Sequence, residues 1–204
     1  KAQVEVLRAV VPEIERHIEQ QAFRMDQPFV QRQPVDERLE RGAGAALRAH
    51  QVEVPGATRI AELDAADAIV FGSPTYMGSA SAKFKGFMDE SSKRWFAGAW
   101  KNKVAAGFTT SASQSGDKLN TLLQLMVFAN QHAMIWVGLD LMPGNNNSKG
   151  SVDDLNRLGS FSGAMAQANA DQGAEAMRES DLRTAARLGA RVAETALALQ
   201  RGRA

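Results

Sequence analysis

Two stretches of this 204-residue chain carry side chains that could do chemistry together. Ser73-Pro74-Thr75-Tyr76-Met77-Gly78 and Thr109-Thr110-Ser111-Ala112-Ser113-Gln114-Ser115-Gly116 are both rich in small hydroxyl residues and glycine. Loops of this kind present backbone N–H groups and hydroxyls with little bulk in the way, which suits a polar ring system or a phosphate. The competing reading is an ordinary polar connection from strand to helix. Other chemistries find less support. His17, His50 and His132 have no metal-ligand spacing and no acidic residues clustered with them, so no metal site is expected. Ser73 and Ser111 lack the flanking glycines of a nucleophile elbow. Asp89-Glu90 and Asp153-Asp154 are adjacent carboxylates, which point apart and are solvated. No glycine-rich dinucleotide fingerprint is present.

Both loops follow apolar runs. Ala68 to Gly72 has the composition of a buried parallel strand, and Val104 to Thr109 is a second such run. In open parallel sheets ligands sit beyond the carboxyl ends of the strands, so the two loops mark one expected site. Ser79 to Asp89 reads as a helix with Phe84, Phe87 and Met88 on one face, and Leu119 to Ala133 as a helix packed on the sheet. Ser91 to Trp100 reads as an aromatic-bearing loop, Met134 to Gly138 as a strand, and Leu141 to Gly163 as a long loop with Asn145-Asn146-Asn147 at its tip. Asp181 to Gln200 is a closing amphipathic helix, and Ile60 to Asp67 a helical turn leading into the first strand of the pair. Trp100 and Trp136 are assigned to packing. Upstream, Gln3 to Val11 reads as a strand, Pro12 to Phe23 as a short helix bearing a solvated His17, and Arg24 to Pro55 as a long excursion with a helical piece over Val35 to Ala49.

Composition sets the frame for these pieces. An apolar content of 44% with 23% charged residues is ordinary for one soluble α/β domain spanning 1–204. A formal charge of +1 gives no pull toward nucleic acid or anionic lipid. The chain has no cysteine, so thiolate nucleophiles, thiolate metal sites and disulfides are excluded and a reducing compartment is allowed; the cytoplasm is the expected setting. No apolar run approaches the roughly 20 residues of a membrane-spanning helix.

Taken together, Phe71-Gly72-Ser73-Pro74-Thr75-Tyr76-Met77-Gly78, Trp95 ahead of the second strand, and Gln131-His132-Ala133-Met134 before the next strand resemble one family, the flavodoxin-like NAD(P)H:quinone oxidoreductases of the tryptophan-repressor-binding-protein type. The resemblance covers roughly Leu63 to Ala196. It implies a doubly wound parallel sheet in the order 2-1-3-4-5. It also implies FMN held at Pro74, Thr75, Tyr76, Met77 and Gly78 on one edge and at Thr110, Ser111, Ala112, Ser113, Gln114 and Ser115 on the other. Trp95 would then bind the substrate and His132 would act as the catalytic group, hydrogen-bonding or protonating a quinone oxygen. A core or subunit-interface tryptophan and a helix-end histidine satisfied by carbonyls are the structural alternatives. The family's glycine-rich second loop is here Ser-Ala-Ser-Gln-Ser, and its His-His pair is Gln131-His132.

The function implied is FMN-dependent two-electron reduction of a small-molecule quinone by NAD(P)H, in a homo-oligomer, either tetramer or dimer. The alternative is a flavodoxin-like electron carrier, or an FMN-binding regulatory or interaction module without quinone turnover; carriers of this type are typically acidic, and the charge of +1 counts against one. A third reading, a partner-binding protein that has lost flavin, is kept open by one departure. Family members open with a strand, a phosphate loop and a helix, whereas Ala2 to Pro12 resembles the family's second strand. The expectation is that the first βα unit, roughly 30 residues, is absent from the sequence.

Overall fold

The structure, a computed structural model, describes residues 49–51, 60–173 and 176–203. The expected strand over 3–11, the helix over 12–23 with His17, and nearly all of the 24–55 excursion lie outside the described residues. The elements in chain order are β1 (Ala49–Gln51), α1 (Ile60–Ala65), β2 (Ala68–Tyr76), β3 (Ser79–Ala80), α2 (Ala82–Glu90), α3 (Ser92–Ala97), β4 (Val104–Ser111), α4 (Lys118–Gln131), β5 (Ile135–Trp136), β6 (Ala164–Gln167) and α5 (Glu179–Arg203).

β2 and β4 form the centre of the sheet. They pair in parallel from Ala68↔Val104 to Pro74↔Thr110, so both hydroxyl-rich loops leave the sheet at the same end. β1 pairs in parallel on the other side of β2, taking over three positions the place that a 2-1-3-4-5 order gives to the first strand. The helical piece expected to run to Ala49 therefore gives way to a strand at that residue. β5 and β6 both pair in parallel with β4, β5 at Val104–Ala105 and β6 at Phe108–Ser111. They share one strand position that the chain interrupts between Val137 and Gly163. The expected Met134–Gly138 strand is shortened because the chain turns out of the sheet there: Leu139 N–H donates to the Phe161 carbonyl at 2.8 Å instead of to β4.

Alternation along β2 and β4 divides the core in two. Val70, Val104, Ala106 and Phe108 face α5, which meets them with Ala185, Leu188, Val192, Ala193 and Ala196. Ile69, Phe71 and Ala105 face the opposite layer, where α1, α2 and α4 contribute Leu63, Phe84, Phe87, Leu122, Leu125 and Phe128. Helices on both faces of a parallel sheet make the doubly wound architecture that the sequence implies. No helix among the described residues is long and apolar enough to cross a membrane.

Two further segments differ from their sequence reading. The stretch expected to start a helix at Ser79 instead forms β3, antiparallel to the end of β2 with Tyr76↔Ser79 paired, and α2 begins after Ser81, whose side chain caps Phe84 N–H. Ser91 to Trp100 is not a loop throughout. Ser92–Ala97 closes a short helix, ended by Gly98 in the left-handed region at φ 62°, whose N–H satisfies the Trp95 carbonyl. Trp100 is fully buried, stacked near-parallel on Phe87, and its indole N–H donates to Asp64 at 2.8 Å.

Gly72 lies opposite Phe108 in the β2–β4 register, and a Cβ there would lie 2.2 Å from the Phe108 ring. The ring is fully buried against α5 and cannot retreat. Gly72→Ala is therefore expected to destabilise the fold by about 1–3 kcal/mol, read as a lower denaturant midpoint. An unchanged midpoint would show that the ring has room to move.

Candidate functional site

The carboxyl ends of β2 and β4 open into a cavity of about 290 Å³, lined by Pro74 to Gly78, Thr110 to Ser113, Gly116, Asp117, Ala168 and Asn169. That volume is at the lower end of small-molecule sites, roughly 300–1,000 Å³. The first wall is a tight hairpin. Met77 and Gly78 have φ of 48° and 74°, the conformation of a two-residue primed turn between β2 and β3. Methionine at the first of these positions is disfavoured, and its side chain projects fully into solvent. The turn is pinned to α4: Asn120 Nδ2 donates to the Gly78 carbonyl at 2.7 Å, and Gln124 Oε1 accepts from Ser79 Oγ and Ala80 N–H.

Beneath the cavity a chain of hydroxyls locks β2, β4 and α4 together. Thr109 Oγ1 donates to the Ser73 carbonyl at 2.7 Å, which uses its one proton. Thr75 must then donate to Thr109, and Thr121 to Thr75, each at 2.8 Å. Thr75, at 8% exposure, thus contributes to the wall with its hydroxyl already committed. Thr110 is different. Its Oγ1 is buried in the cavity wall without a hydrogen-bond partner among the described residues. A buried hydroxyl left unpaired costs about 1–3 kcal/mol, and this one has almost no accessible surface.

The second wall is the turn from β4 into α4. Gly116 and Asp117 both have φ of 55°, and a Cβ on Gly116 would lie 2.2 Å from Ser111 Oγ, so only glycine fits. Inside this turn lies Lys118, 1% exposed. Its ammonium donates to Ser111 Oγ at 2.8 Å, to the Ser113 carbonyl at 3.0 Å and to the Gln114 carbonyl at 2.7 Å. Burial pulls its pKa down to about 8, against the attraction of Asp181.

The structure brings together Pro74, Thr75, Tyr76, Met77, Gly78, Thr110, Ser111, Ala112 and Ser113 around one cavity. Gln114 and Ser115 belong to the same turn at its rim but do not line the cavity. Gly116, the end of the second hydroxyl-rich stretch, also joins the lining, as do Asp117, Ala168 and Asn169, which the sequence does not single out. Trp95 and His132 are not at this cavity, which corrects the expectation for both within one chain. They lie at the amino end of β4, where Asn102 N–H meets the Ala133 carbonyl and Arg94 meets Asp64. The eight residues of β4, about 23 Å of strand, separate them from the loops. Trp95 is half exposed on α3. His132 is 4% exposed, with its ring 4.3 Å from that of Trp100 and 4.9 Å from that of Phe128, a core histidine. Among the described residues no group of three or more His, Asp or Glu side chains could hold a metal.

Comparison with known proteins points to one family. The family model described as NADPH-dependent FMN reductase matches residues 10–145. Flavodoxin FldP of Pseudomonas aeruginosa is 42% identical over 161 residues, spanning 76% of this chain and 87% of that protein. An NAD(P)H dehydrogenase (quinone) of Aromatoleum aromaticum is 33% identical over 169 residues, spanning 83% and 79% of the two chains. Among solved structures, a flavodoxin, WrbA-like protein from Agrobacterium tumefaciens is 45% identical with a TM-score of 0.54, covering 68% of this chain and 71% of its own. The fold is flavodoxin-like.

Proposed function

The chain belongs to the NADPH-dependent FMN reductase family, and from that premise we propose that it is an FMN-dependent oxidoreductase in which NAD(P)H reduces a small-molecule quinone. Oxidoreductase chemistry with FMN and NAD(P)H follows from the family; quinone as the acceptor is the finer reading. The observation that supports it is the cavity at the shared carboxyl ends of β2 and β4, bounded by the Met77–Gly78 turn and by the turn that runs from Thr110 to Asp117. A flat, polar heterocycle with acceptors on its edge fits that cavity.

When bound, FMN would supply two-electron redox chemistry between NAD(P)H and the acceptor. The chain's own residues bind and orient. The Met77–Gly78 turn and the 110–116 turn would hold the cofactor between them. The committed Thr121–Thr75–Thr109 hydroxyls hold those walls at a fixed spacing, so the site needs little rearrangement on binding. Tyr76, 40% exposed at the cavity, offers a wall for a second planar ring. The buried, neutral His132 supplies no proton to the cavity of its own chain.

We also read the chain as a homo-oligomer acting in the cytoplasm. Leu119, Leu123 and Val127, spaced four apart along the outer face of α4, are 51%, 39% and 55% exposed, a stripe suited to a second copy. In such an assembly Trp95 would meet a quinone only at another copy's cavity.

The name of the Pseudomonas relative favours a second reading, an electron carrier without quinone turnover. FMN-loaded protein given NAD(P)H and benzoquinone separates the two. The expected result is catalytic NAD(P)H consumption with one quinone reduced per NAD(P)H. Retained FMN with no quinone-dependent NAD(P)H oxidation would overturn the enzyme reading in favour of the carrier.

A further inference from the structure

Lys118 has no part in the chemistry above, yet it is among the most buried side chains of the molecule. It lies in the first turn of α4, where a positive charge opposes the helix dipole. A lysine is not held there by helix preference. All three donors of its ammonium are spent on one turn of chain: the Ser111 hydroxyl and the carbonyls of Ser113 and Gln114. The Ser111 hydroxyl passes its own proton to the Ser113 carbonyl at 2.8 Å, which closes the network.

The consequence follows from peptide geometry. The C=O and N–H of one planar trans peptide point in opposite directions. With the Ser113 and Gln114 carbonyls drawn inward to Lys118, the N–H groups of Gln114 and Ser115 are turned away from the ammonium, in a turn whose Ser113 and Gly116 line the cavity. Neither N–H has an acceptor among the described residues. A turn whose carbonyls are gathered by a buried cation therefore offers its donors to an electron-rich ligand.

We infer that Lys118 is the positioning residue of the cofactor turn: its ammonium ties Ser111, Ser113 and Gln114 into one fixed shape, and FMN affinity depends on that shape. The inference rests on the FMN reading. Its electrostatic surroundings are sparse. Asp181 of α5 faces it with opposite charge and Arg157, from the segment between β5 and β6, with like charge, while β4 and β6 carry no ionisable side chain. Losing the proton from Nζ leaves only two N–H donors for three acceptors, so the turn loosens as the amine is neutralised.

The test has three arms. Equilibrium FMN binding by the full chain is expected to weaken about ten- to a hundredfold in Lys118→Gln, with most of the affinity kept in Lys118→Arg. Wild-type affinity is expected to fall about five- to tenfold between pH 7 and pH 9, through the range set by the lowered pKa of about 8, and Lys118→Arg to show no such fall. In the FMN-free protein, amide hydrogen exchange across 111–117 is expected to speed up in Lys118→Gln while the β2–β4 core stays protected. Equal FMN affinity in wild type and Lys118→Gln, or the same pH profile in Lys118→Arg as in wild type, would overturn the inference. So would unchanged exchange in the turn, which is read without cofactor and judges Lys118 even if wild type fails to bind FMN, an outcome that sinks the FMN reading itself.

Discussion

Replacing Arg157 by methionine is expected to lower the free energy of unfolding by about 3–5 kcal/mol. The guanidinium grips Asp181 with two parallel bonds, Nε to Oδ1 at 2.8 Å and an Nη to Oδ2 at 2.6 Å, and the two side chains are only 7% and 2% exposed. The Gln167 N–H adds a third bond to Oδ2 at 3.0 Å, so one carboxylate joins α5, β6 and the segment that interrupts the sheet edge. Without Arg157 the charge stays buried with a single neutral donor and the more distant Lys118. The double variant Arg157→Met, Asp181→Leu is expected to regain most of the loss, because a matched apolar pair carries no desolvation penalty. Urea unfolding of the wild type and both variants decides this. A single variant within about 1 kcal/mol of wild type, or a double variant no better than the single, would show that the pair contributes little.

Stability is expected to fall as pH drops from about 6.5 to about 4, by up to about 3 kcal/mol, because of His132. Ser91 Oγ donates its one proton to the Met88 carbonyl at 2.7 Å, so the contact at 3.0 Å is His132 Nε2–H donating to Ser91. Nδ1 is then the basic nitrogen, buried without a partner among the described residues. Desolvation pulls the ring's pKa down to about 4, so the folded chain keeps it neutral while the unfolded chain protonates it below about 6.5. The unfolded state binds the extra proton across that window, and stability is lost as pH falls through it. His132→Phe is expected to flatten this part of the profile relative to wild type. Parallel profiles for the two proteins would mean that carboxylates alone set the acid sensitivity.

The parts of the fold legible in the sequence were those where one residue type does one job. Apolar runs ending in hydroxyls, at Ala68 to Tyr76 and Val104 to Ser111, encode both a buried parallel strand and the loop it delivers, and the two loops do meet at one cavity. Trp95 and His132 enter the expected site only through likeness to a family, a relation that carries residue type and order but not distance. Only the sheet, which fixes which end of β4 each loop leaves from, separates them from the cavity. β6 was missed because Ala164-Met165-Ala166-Gln167 is short and weakly alternating, and its pairing is set by a neighbour far away in the chain. Ala168 and Asn169 went unseen with it. Lys118 carried no signal at all, since a lysine at a helix start reads as solvated until the turn above it is folded over its ammonium.

The interrupted edge of the sheet, as it stands among the described residues, also bears on how the chain resists strand-by-strand aggregation at high concentration. An unbroken edge strand is a template on which another chain can add a strand, and from there aggregates grow. Here the partner position beside β4 is filled by two ladder residues of β5 and four of β6, with the chain leaving the sheet between them. An incoming strand meets two short, offset pieces where it would need a continuous row of N–H and C=O groups, and the long segment between Val137 and Gly163 stands in its way. The detour that brings Ala168 and Asn169 to the cavity therefore also blunts this edge against fibril growth.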